Sequence, residues 1–523
     1  MTERVKRVLG LAPKQTGNKL IINCEKLERR VALLENGVLE EYSIERQTDR
    51  NIVGSIFKGR VKNIEHGLKA MFVDIGFEKN AFLHFWDALP AALDSGIEEV
   101  ERSSGRKPQK RITAKDIPSI YPVGSEVLVQ VTKGPISTKG PRITTNLSLA
   151  GRYLVLMPYS DQSGISRKIE SPKERERLRK ILKELDIPES MGVIVRTVGE
   201  GQRARYFVRD LGLLIEQWRA IEQAMKDQPS PACVFQEPDL IERTVRDFLT
   251  DEIDGVFCDD DGAVKRMTDL VGQISRRSTN RIQHYSGSQP IFESFGVQKQ
   301  IEDAFHRQVW LKCGGYIVID ETEALIAIDV NTGRNKGGKD VEKTILQTNI
   351  EAADEMSRQM RLRNIGGLII GDFIDMKSRK DQQQVYQRMK DRLRRDKAKT
   401  HVLRISRLGL MEMTRQRAQE SISGSVFESC PYCYGRGKIK SSMTMSVELQ
   451  RTLHQVMRKY PENHEIKVII HPKVLERLRR DDEELLIDIE RKYAGRLSFR
   501  ADPTYHQEKF TVTDANTGAE LQA

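Results

Sequence analysis

The chain switches repeatedly between hydrophobic period two and period 3.6, and the switches outline its elements. Residues 19–39 alternate like paired strands around Glu35-Asn36-Gly37, an Asn-Gly hairpin signal. Short strand patterns follow at 55–64, 68–75 and 81–85, with Gly59, Gly67 and Gly76 at turn spacing. A polar stretch, 95–109, reads as a loop, and strand patterns resume at 126–133 and 142–149. Ser171-Pro172 predicts an N-cap and first helical residue for a charged helix over 171–185. A strand over 191–198 carries Arg196-Thr197, a helix runs over 205–228, and 240–253 mixes helical signals with acids. Asp259-Asp260-Asp261-Gly262 predicts a turn and lacks the ligand spacing of a calcium loop.

Two strands, 316–320 and 324–330, joined at Glu321-Thr322-Glu323, come next. Alternation places Ala327, Asp329 and Asn331 on one face and Ile326, Ile328 and Val330 on the other. Asp340 predicts the cap of a helix over 341–363, with Ile345, Ala352, Met356 and Met360 along one face. A strand over 368–370 then runs into Gly371-Asp372-Phe373-Ile374-Asp375. Two carboxylates on neighbouring strands, Asp329 and Asp372, suffice for magnesium, which takes hard oxygen ligands and keeps several waters. Asn331 shares the face of Asp329, and an extended strand puts Asp375 on the other side. The alternative is that strand-end aspartates cap turns.

Composition narrows the class. The chain has 523 residues, which sets a prior of about three to four domains. No apolar run reaches the ~18 residues of a membrane span, and the apolar stretch at 8–12 is too short for a signal peptide. Six cysteines over this length do not make a disulfide framework, so a cytosolic protein is expected. The net charge is +11, and 390–417 holds ten Lys/Arg against three acids, a net +7. Within it, 401–407 alternates like a strand, which sets Arg404 and Ser406 opposite Leu403 and Ile405 and predicts a placed, phosphate-contacting surface. Near the N-terminus, Lys58, Arg60, Lys62 and Lys69 interleave with Phe57, Phe72 and Phe82. Cations that track a backbone and aromatics that stack bases suit single-stranded nucleic acid; the alternative is that these rings are barrel core.

Cys430-Pro431-Tyr432-Cys433-Tyr434-Gly435-Arg436-Gly437 resembles half of a zinc knuckle. Zinc takes four ligands, and Cys24, Cys233, Cys258 and Cys313 are scattered singly. Two chains giving two thiolates each would complete the site and close a symmetric dimer. A redox dithiol is the competing reading, although no thioredoxin-like βαβ pattern is evident around the pair.

Long ordered blocks carry a resemblance to a known family. They are 72–76 (FVDIG), 148–158 (SLAGRYLVLMP), Val195-Arg196-Thr197, Ile328-Asp329-Val330-Asn331, 351–355 (EAADE), 372–376 (DFIDM), Ile405-Ser406-Arg407 and the 430–437 knuckle. With these the chain resembles, over almost its whole length, the ribonuclease E/G family of bacterial endoribonucleases. The resemblance implies a multidomain α+β fold. An RNase H-like scaffold (1–50 and 241–304) would be interrupted by an S1-type (OB-fold) β-barrel (51–145, with an insertion at 88–117) and a 5′-sensor (146–240). A DNase I-like catalytic subdomain (305–427), a zinc link (428–440) and a small C-terminal α/β dimerisation domain (441–523) would follow.

The same resemblance implies Asp329 and Asp372 as Mg2+ ligands and Asn331 as a catalytic asparagine. It implies Phe72, Phe82 and Lys139 as RNA-holding residues, and Gly151, Val155, Arg196 and Thr197 as a 5′-monophosphate pocket. Arg407 would be a further phosphate contact, and Cys430 and Cys433 would hold Zn2+ shared between the chains of a homodimer, two of which form a homotetramer. The implied activity is cytoplasmic, magnesium-dependent hydrolysis of single-stranded RNA to a 3′-hydroxyl and a 5′-phosphate, in rRNA and tRNA processing and mRNA decay. Substrates with one 5′-phosphate would be favoured, because a triphosphate does not fit a pocket shaped by Arg196 and Thr197. The chain stops at Ala523, so the degradosome-docking tail and membrane helix of longer members are not expected. Residues 468–512 look like the shorter, ribonuclease G type. Ile75 stands where some members have an aromatic, which weakens one stacking surface. Rival readings are a non-catalytic RNA-binding scaffold and a redox protein built on Cys430 and Cys433.

Overall fold

A computed structural model describes residues 16–46, 52–90, 97–100, 113–135, 140–160, 162–249, 252–274, 276–334, 341–416, 421–461 and 465–522. Lys139, Asp340 and Arg417 lie outside the described residues. The chain divides into two units, 1–425 and 426–523.

In the first unit, the Asn36-Gly37 turn joins Glu28–Glu35 to Val38–Arg46, with both turn residues at positive φ (51° and 82°), as a tight hairpin of this type requires. Asn18–Cys24 pairs antiparallel with Glu28–Glu35 and, on its other edge, parallel with Gly255–Cys258. Residues 18–46 and 255–284 thus share one sheet, and what lies between them in the chain is inserted into it. Leu20 and Ile22 pack under the helices Leu240–Phe248 and Asp261–Ile274, while Ile21 packs against Phe292 and Val297 on the other face, as period-two alternation demands. The acidic triplet is not a free turn: Asp261 begins a helix, and Asp259 accepts from Asn23 Nδ2 and the Cys24 amide.

The inserted strands Ile56–Glu65, Ala70–Asp74, Ala81–His84, Arg142–Thr144 and Glu126–Lys133 close on themselves, last to first, as a five-stranded barrel consistent with an S1/OB fold. The 142–149 pattern is split. Its second half, Leu149–Ala150, starts a separate sheet with Leu154–Pro158, Met191–Val195, Gly164–Ser166 and Ile97–Glu99. That last strand corrects the reading of 95–109 as a loop throughout, because Ile97–Glu99 forms an edge strand on Gly164–Ser166. The helix Ala204–Asp227 covers this sheet with Phe207, Leu211, Leu214, Trp218 and Ile221 at helical spacing.

The last sheet of the unit orders Gln308–Trp310, Tyr316–Glu321, Leu325–Asn331, Gly367–Asp372, Leu410–Arg415 and Thr400–Val402. Leu325–Asn331 and Gly367–Asp372 are parallel, so a crossover is required, and the helix Val341–Leu362 supplies it. Ile326, Ile328 and Val330 pack against Ala352, Met356 and Met360, leaving the opposite face open. Ile345 is not among the buried residues of that helix; Leu346 and Ile350 pack there instead.

Two expectations for the basic segment are corrected. The strand ends at Val402, and 403–409 folds into a turn in which the Ser406 amide donates to Leu410 O at 2.8 Å. Leu403 is exposed while Ile405 packs on the core, so the two do not share a face as a continuous strand would make them. Part of the segment's charge is also paired within the fold, by Asp396 of the segment itself and by three acids from outside it. Arg415 forms a buried bidentate pair with Asp396, Arg392 binds Asp354, Arg394 binds Glu170, and Arg395 binds Glu35. Among the described residues Arg404 and Arg407 are exposed with no ion pair.

The second unit has the helix Ser442–Lys459, then Glu465–Ile470, the helices Pro472–Asp481 and Glu483–Tyr493, and Arg496–Ala501 parallel to the first strand, with Phe510–Asp514 antiparallel on its other edge. A βαβ crossover therefore does lie beyond the cysteine pair, contrary to the sequence reading. Among the described residues, no helix is long and apolar enough to cross a membrane.

Candidate active site and nucleic-acid interface

The open face of the last sheet carries the acids. The parallel register sets Asp329 directly beside Asp372 on adjacent strands, which lie about 4.8 Å apart in any sheet. Both are exposed, and Asn331 Nδ2 donates to Asp329 Oδ2 at 2.6 Å. The strand stops at Asp372, and the chain beyond it is pinned by the fully buried Asn349, which donates to Ile374 O and accepts from the Ile374 amide. Because the strand does not continue, Asp375 is not carried away from the site. Its charge is felt at Asp372, whose pKa is raised by burial, by Asp329 and by Asp375. A site of crowded carboxylates with open solvent beside it has the donor chemistry of a hydrated divalent cation, which would relieve that repulsion.

On the barrel, burial separates the three phenylalanines. Phe57 is core, whereas Phe72 and Phe82 are direct cross-strand partners on the outer surface, half-buried, with ring centroids 5.9 Å apart. The rings meet edge to face, with an interplanar angle of 72°, and form an aromatic patch on which a base can stack. Ile75 is buried in the barrel core and offers no such surface. Lys58 is committed elsewhere, to Glu126 and to the carbonyls of Met225 and Gln228 at the end of a helix.

Val155 lies on the strand between two others, with Gly151 just past the end of one and Arg196-Thr197 just past the end of the other. Val155 pairs with Ile194, and the Arg196 amide donates to Tyr153 O. The Arg196 guanidinium donates to Gly151 O at 2.5 Å and to Asp247 at 2.8 Å. These contacts use two of its five N–H donors and leave others for an anion. Burial acts to raise the Asp247 carboxyl, but Arg246 and Arg196 outweigh it and hold its pKa down. The turn carrying Gly151 is held from beneath by Asp210, which is 2% exposed and accepts from the amides of Arg152, Tyr153 and Leu154. A Cβ at Gly151 would sit 2.6 Å from Asp210 Oδ2, so only glycine fits. Asp210 and Asp247 were not singled out in the sequence, where nothing marks a helical acid as a partner of a distant turn. Arg407 stands apart from this cluster, in the turn before Leu410–Arg415 on the acidic sheet.

In the second unit, Cys430 and Cys433 form a tight knuckle. The Tyr434 amide donates to Cys430 O, and the Gly437 amide donates to Cys433 Sγ at 3.3 Å. The left-handed φ values of Gly435 and Gly437 make that turn accessible. Amides of Cys433 and Tyr432 pull the Cys430 pKa down, as suits a thiolate ligand. Among the described residues, no third ligand atom gathers around the pair. The one group of three among the described residues is Cys24, Cys258 and Asp259, which the fold assembles from cysteines scattered in sequence. Two thiolates per chain fit half of a tetrahedral zinc site.

Comparison with known proteins agrees with this architecture. The model of the ribonuclease E/G family matches residues 148–418, and that of the RNase E/G thioredoxin-like domain matches 429–515. Ribonuclease G of Escherichia coli (strain K12) is 38% identical over 494 residues, which span 94% of this chain and 99% of the relative. Ribonuclease G of Haemophilus influenzae is 38% identical over 94% of the chain and 99% of its own length. Ribonuclease E of Haemophilus influenzae is 36% identical over 96% of the chain but 52% of its own length.

Proposed function

The chain belongs to the ribonuclease E/G family, of the ribonuclease G type, and from that premise we propose that it is an endoribonuclease acting in RNA processing, cutting single-stranded RNA at the Asp329–Asp372 pair. The observation that carries this reading is the register that sets those two carboxylates side by side on an open face, with Asn331 bonded to one of them. Mg2+ bound by Asp329 and Asp372 would neutralise charge building on the phosphoryl oxygens and activate water. Asn331 orients the Asp329 carboxylate and, through its remaining amide donor, holds a phosphate oxygen or a water. Phe72 and Phe82, with Lys139, hold the strand on the barrel. Gly151, Val155, Arg196 and Thr197 receive a 5′-monophosphate, and Arg407 contacts a further phosphate beside the acids. In-line attack of water leaves a 3′-hydroxyl and a 5′-phosphate.

The module plan follows the same reading. The sheet shared by 18–46 and 255–284 is the RNase H-like scaffold, the barrel and sensor are its insertions, 305–427 is the DNase I-like subdomain, and Cys430 and Cys433 share Zn2+ with a second chain, two such dimers making a tetramer. The test is cleavage of a 5′-monophosphorylated oligonucleotide, with and without Mg2+, beside 5′-triphosphate and 5′-hydroxyl versions. Mg2+-dependent cutting, fastest on the monophosphate and abolished by Asp329→Asn with RNA binding retained, is expected. Unchanged cutting by Asp329→Asn would reject the assignment.

A further inference from the structure

The open face of the acidic sheet continues past Asp329 and Asn331 onto two more strands. Tyr316 lies directly opposite Asn331, and Trp310 directly opposite Tyr316. Antiparallel partners point to the same side, so the indole and the phenol stand on the face that carries the acids. At about 4.8 Å per strand, Trp310 is roughly 10 Å from Asn331. The two rings meet edge to face with centroids 5.3 Å apart. Trp310 is 53% exposed, unusual for the largest apolar side chain in the middle of a polar surface. Arg334 lies over it, its guanidinium 5.4 Å from the ring centroid, and is placed there by its amide, which donates to Gly314 O at 2.9 Å. Gly333 precedes it at positive φ, where a Cβ would come within 3.0 Å of the Tyr316 ring. The aromatic pair and its cation are therefore set by the backbone.

We propose that Trp310, Tyr316 and Arg334 form a nucleobase-stacking site that holds one unpaired base of the RNA within two nucleotides of the scissile phosphate. The proposal rests on the ribonuclease reading of Asp329 and Asp372. An exposed indole next to phosphate-handling carboxylates needs an occupant with a flat apolar face and a negative backbone. A nucleotide has both: its base stacks on the ring, and its phosphate meets the Arg334 cation. Stacking accepts any base, so the site positions the strand for cutting without reading sequence.

The test is an abasic scan. A 5′-monophosphorylated oligonucleotide with one defined cleavage site is prepared with single abasic positions around the cut, and the full chain is assayed with Mg2+. One position within two nucleotides of the cut is expected to lower kcat/KM by about 5- to 150-fold, the range for one stacked base. Trp310→Ala should show a comparable loss on intact RNA and no further loss at that position, while Trp310→Phe keeps most of the activity and the abasic penalty. An unchanged abasic pattern in Trp310→Ala overturns the proposal, whether its overall activity is kept or is lost equally on every substrate. So does a variant that differs only in oligomeric state, which would make the ring a contact between copies. Quenching by the same oligonucleotide in a Trp86→Phe, Asp329→Asn background, taken as the part of the emission that Trp310→Phe removes because the buried Trp218 also emits, separates the two readings. Quenching with no cleavage by the unaltered protein would reject the ribonuclease reading and keep the stacking site, whereas no quenching would reject the stacking site.

Discussion

Replacing Asp210 by Asn tests whether the turn at Gly151 is what aims Arg196. Asp210 Oδ2 accepts from the Tyr153 and Leu154 amides at 2.8 and 2.9 Å, and Oδ1 accepts from Arg152 at 3.0 Å. Asparagine keeps two of these bonds by turning its oxygen toward Tyr153 and Leu154. Its amide then faces the Arg152 N–H, donor against donor, in a site that is 2% exposed. A hydrogen bond to a charged group is worth about 1.5–3 kcal/mol. Part of that is returned, since burial already pushes the Asp210 pKa up and the variant no longer buries a charge. The expected net loss is about 2 kcal/mol, read from a denaturant midpoint. Because Gly151 O anchors Arg196 Nη1, movement of the turn should also weaken the phosphate contact. The ratio of kcat/KM for 5′-monophosphate over 5′-hydroxyl RNA should fall about tenfold, the equivalent of some 1.4 kcal/mol, while 5′-hydroxyl cleavage is retained. Unchanged stability would refute the hydrogen-bond argument, and lowered stability with full 5′ preference would refute the link from turn to Arg196.

Other outcomes follow from the same geometry. Arg415→Ala leaves Asp396 buried and unpaired, and should cost about 3–5 kcal/mol by chemical denaturation, with no change in the salt slope of RNA binding. Burial acts to raise the Asp354 carboxyl, but bonds from Arg388 and Arg392 prevail and lower its pKa. Its stabilisation is therefore complete above the ordinary carboxylate range and lost as pH falls through the lowered value. Asp354→Asn should flatten the acid side of a melting-temperature profile, by about 1 kcal/mol or less for so exposed a cluster. Cys430→Ser should abolish bound zinc and shift the mass toward monomer, against about one zinc per two chains in the unaltered protein; one zinc per chain would refute sharing between protomers.

The alternation of Ile326, Ile328 and Val330 against Asp329 and Asn331 was legible because a sheet with one covered face imposes period two. The Asn-Gly hairpin and the Ser171 cap were legible because each is a local hydrogen-bonding problem with a local solution. What sequence could not supply was partnership at a distance. The basic run reads as a surface until Asp354, Glu170 and Glu35, all from outside it, are placed against it. Asp375 looked misplaced because alternation was carried past the point where Asn349 ends the strand. Trp310 and Tyr316 drew no notice, since strand register alone brings them beside Asn331.

The sheet that joins residues 18–46 to 255–284 also dictates an order of folding. Asn18–Cys24 is central in that sheet, yet its parallel partner Gly255–Cys258 emerges from the ribosome more than 200 residues later. At ordinary synthesis rates that is a delay of roughly ten to fifty seconds. The barrel and the sensor sheet, whose contacts are complete by about residue 235, can form within that time. Meanwhile the N-terminal hairpin waits with one strand edge unpaired, the kind of edge that invites mispairing. The newborn chain is therefore most vulnerable to aggregation before its first sheet is finished, and a nucleic acid already bound to the barrel would meet the protein at that stage.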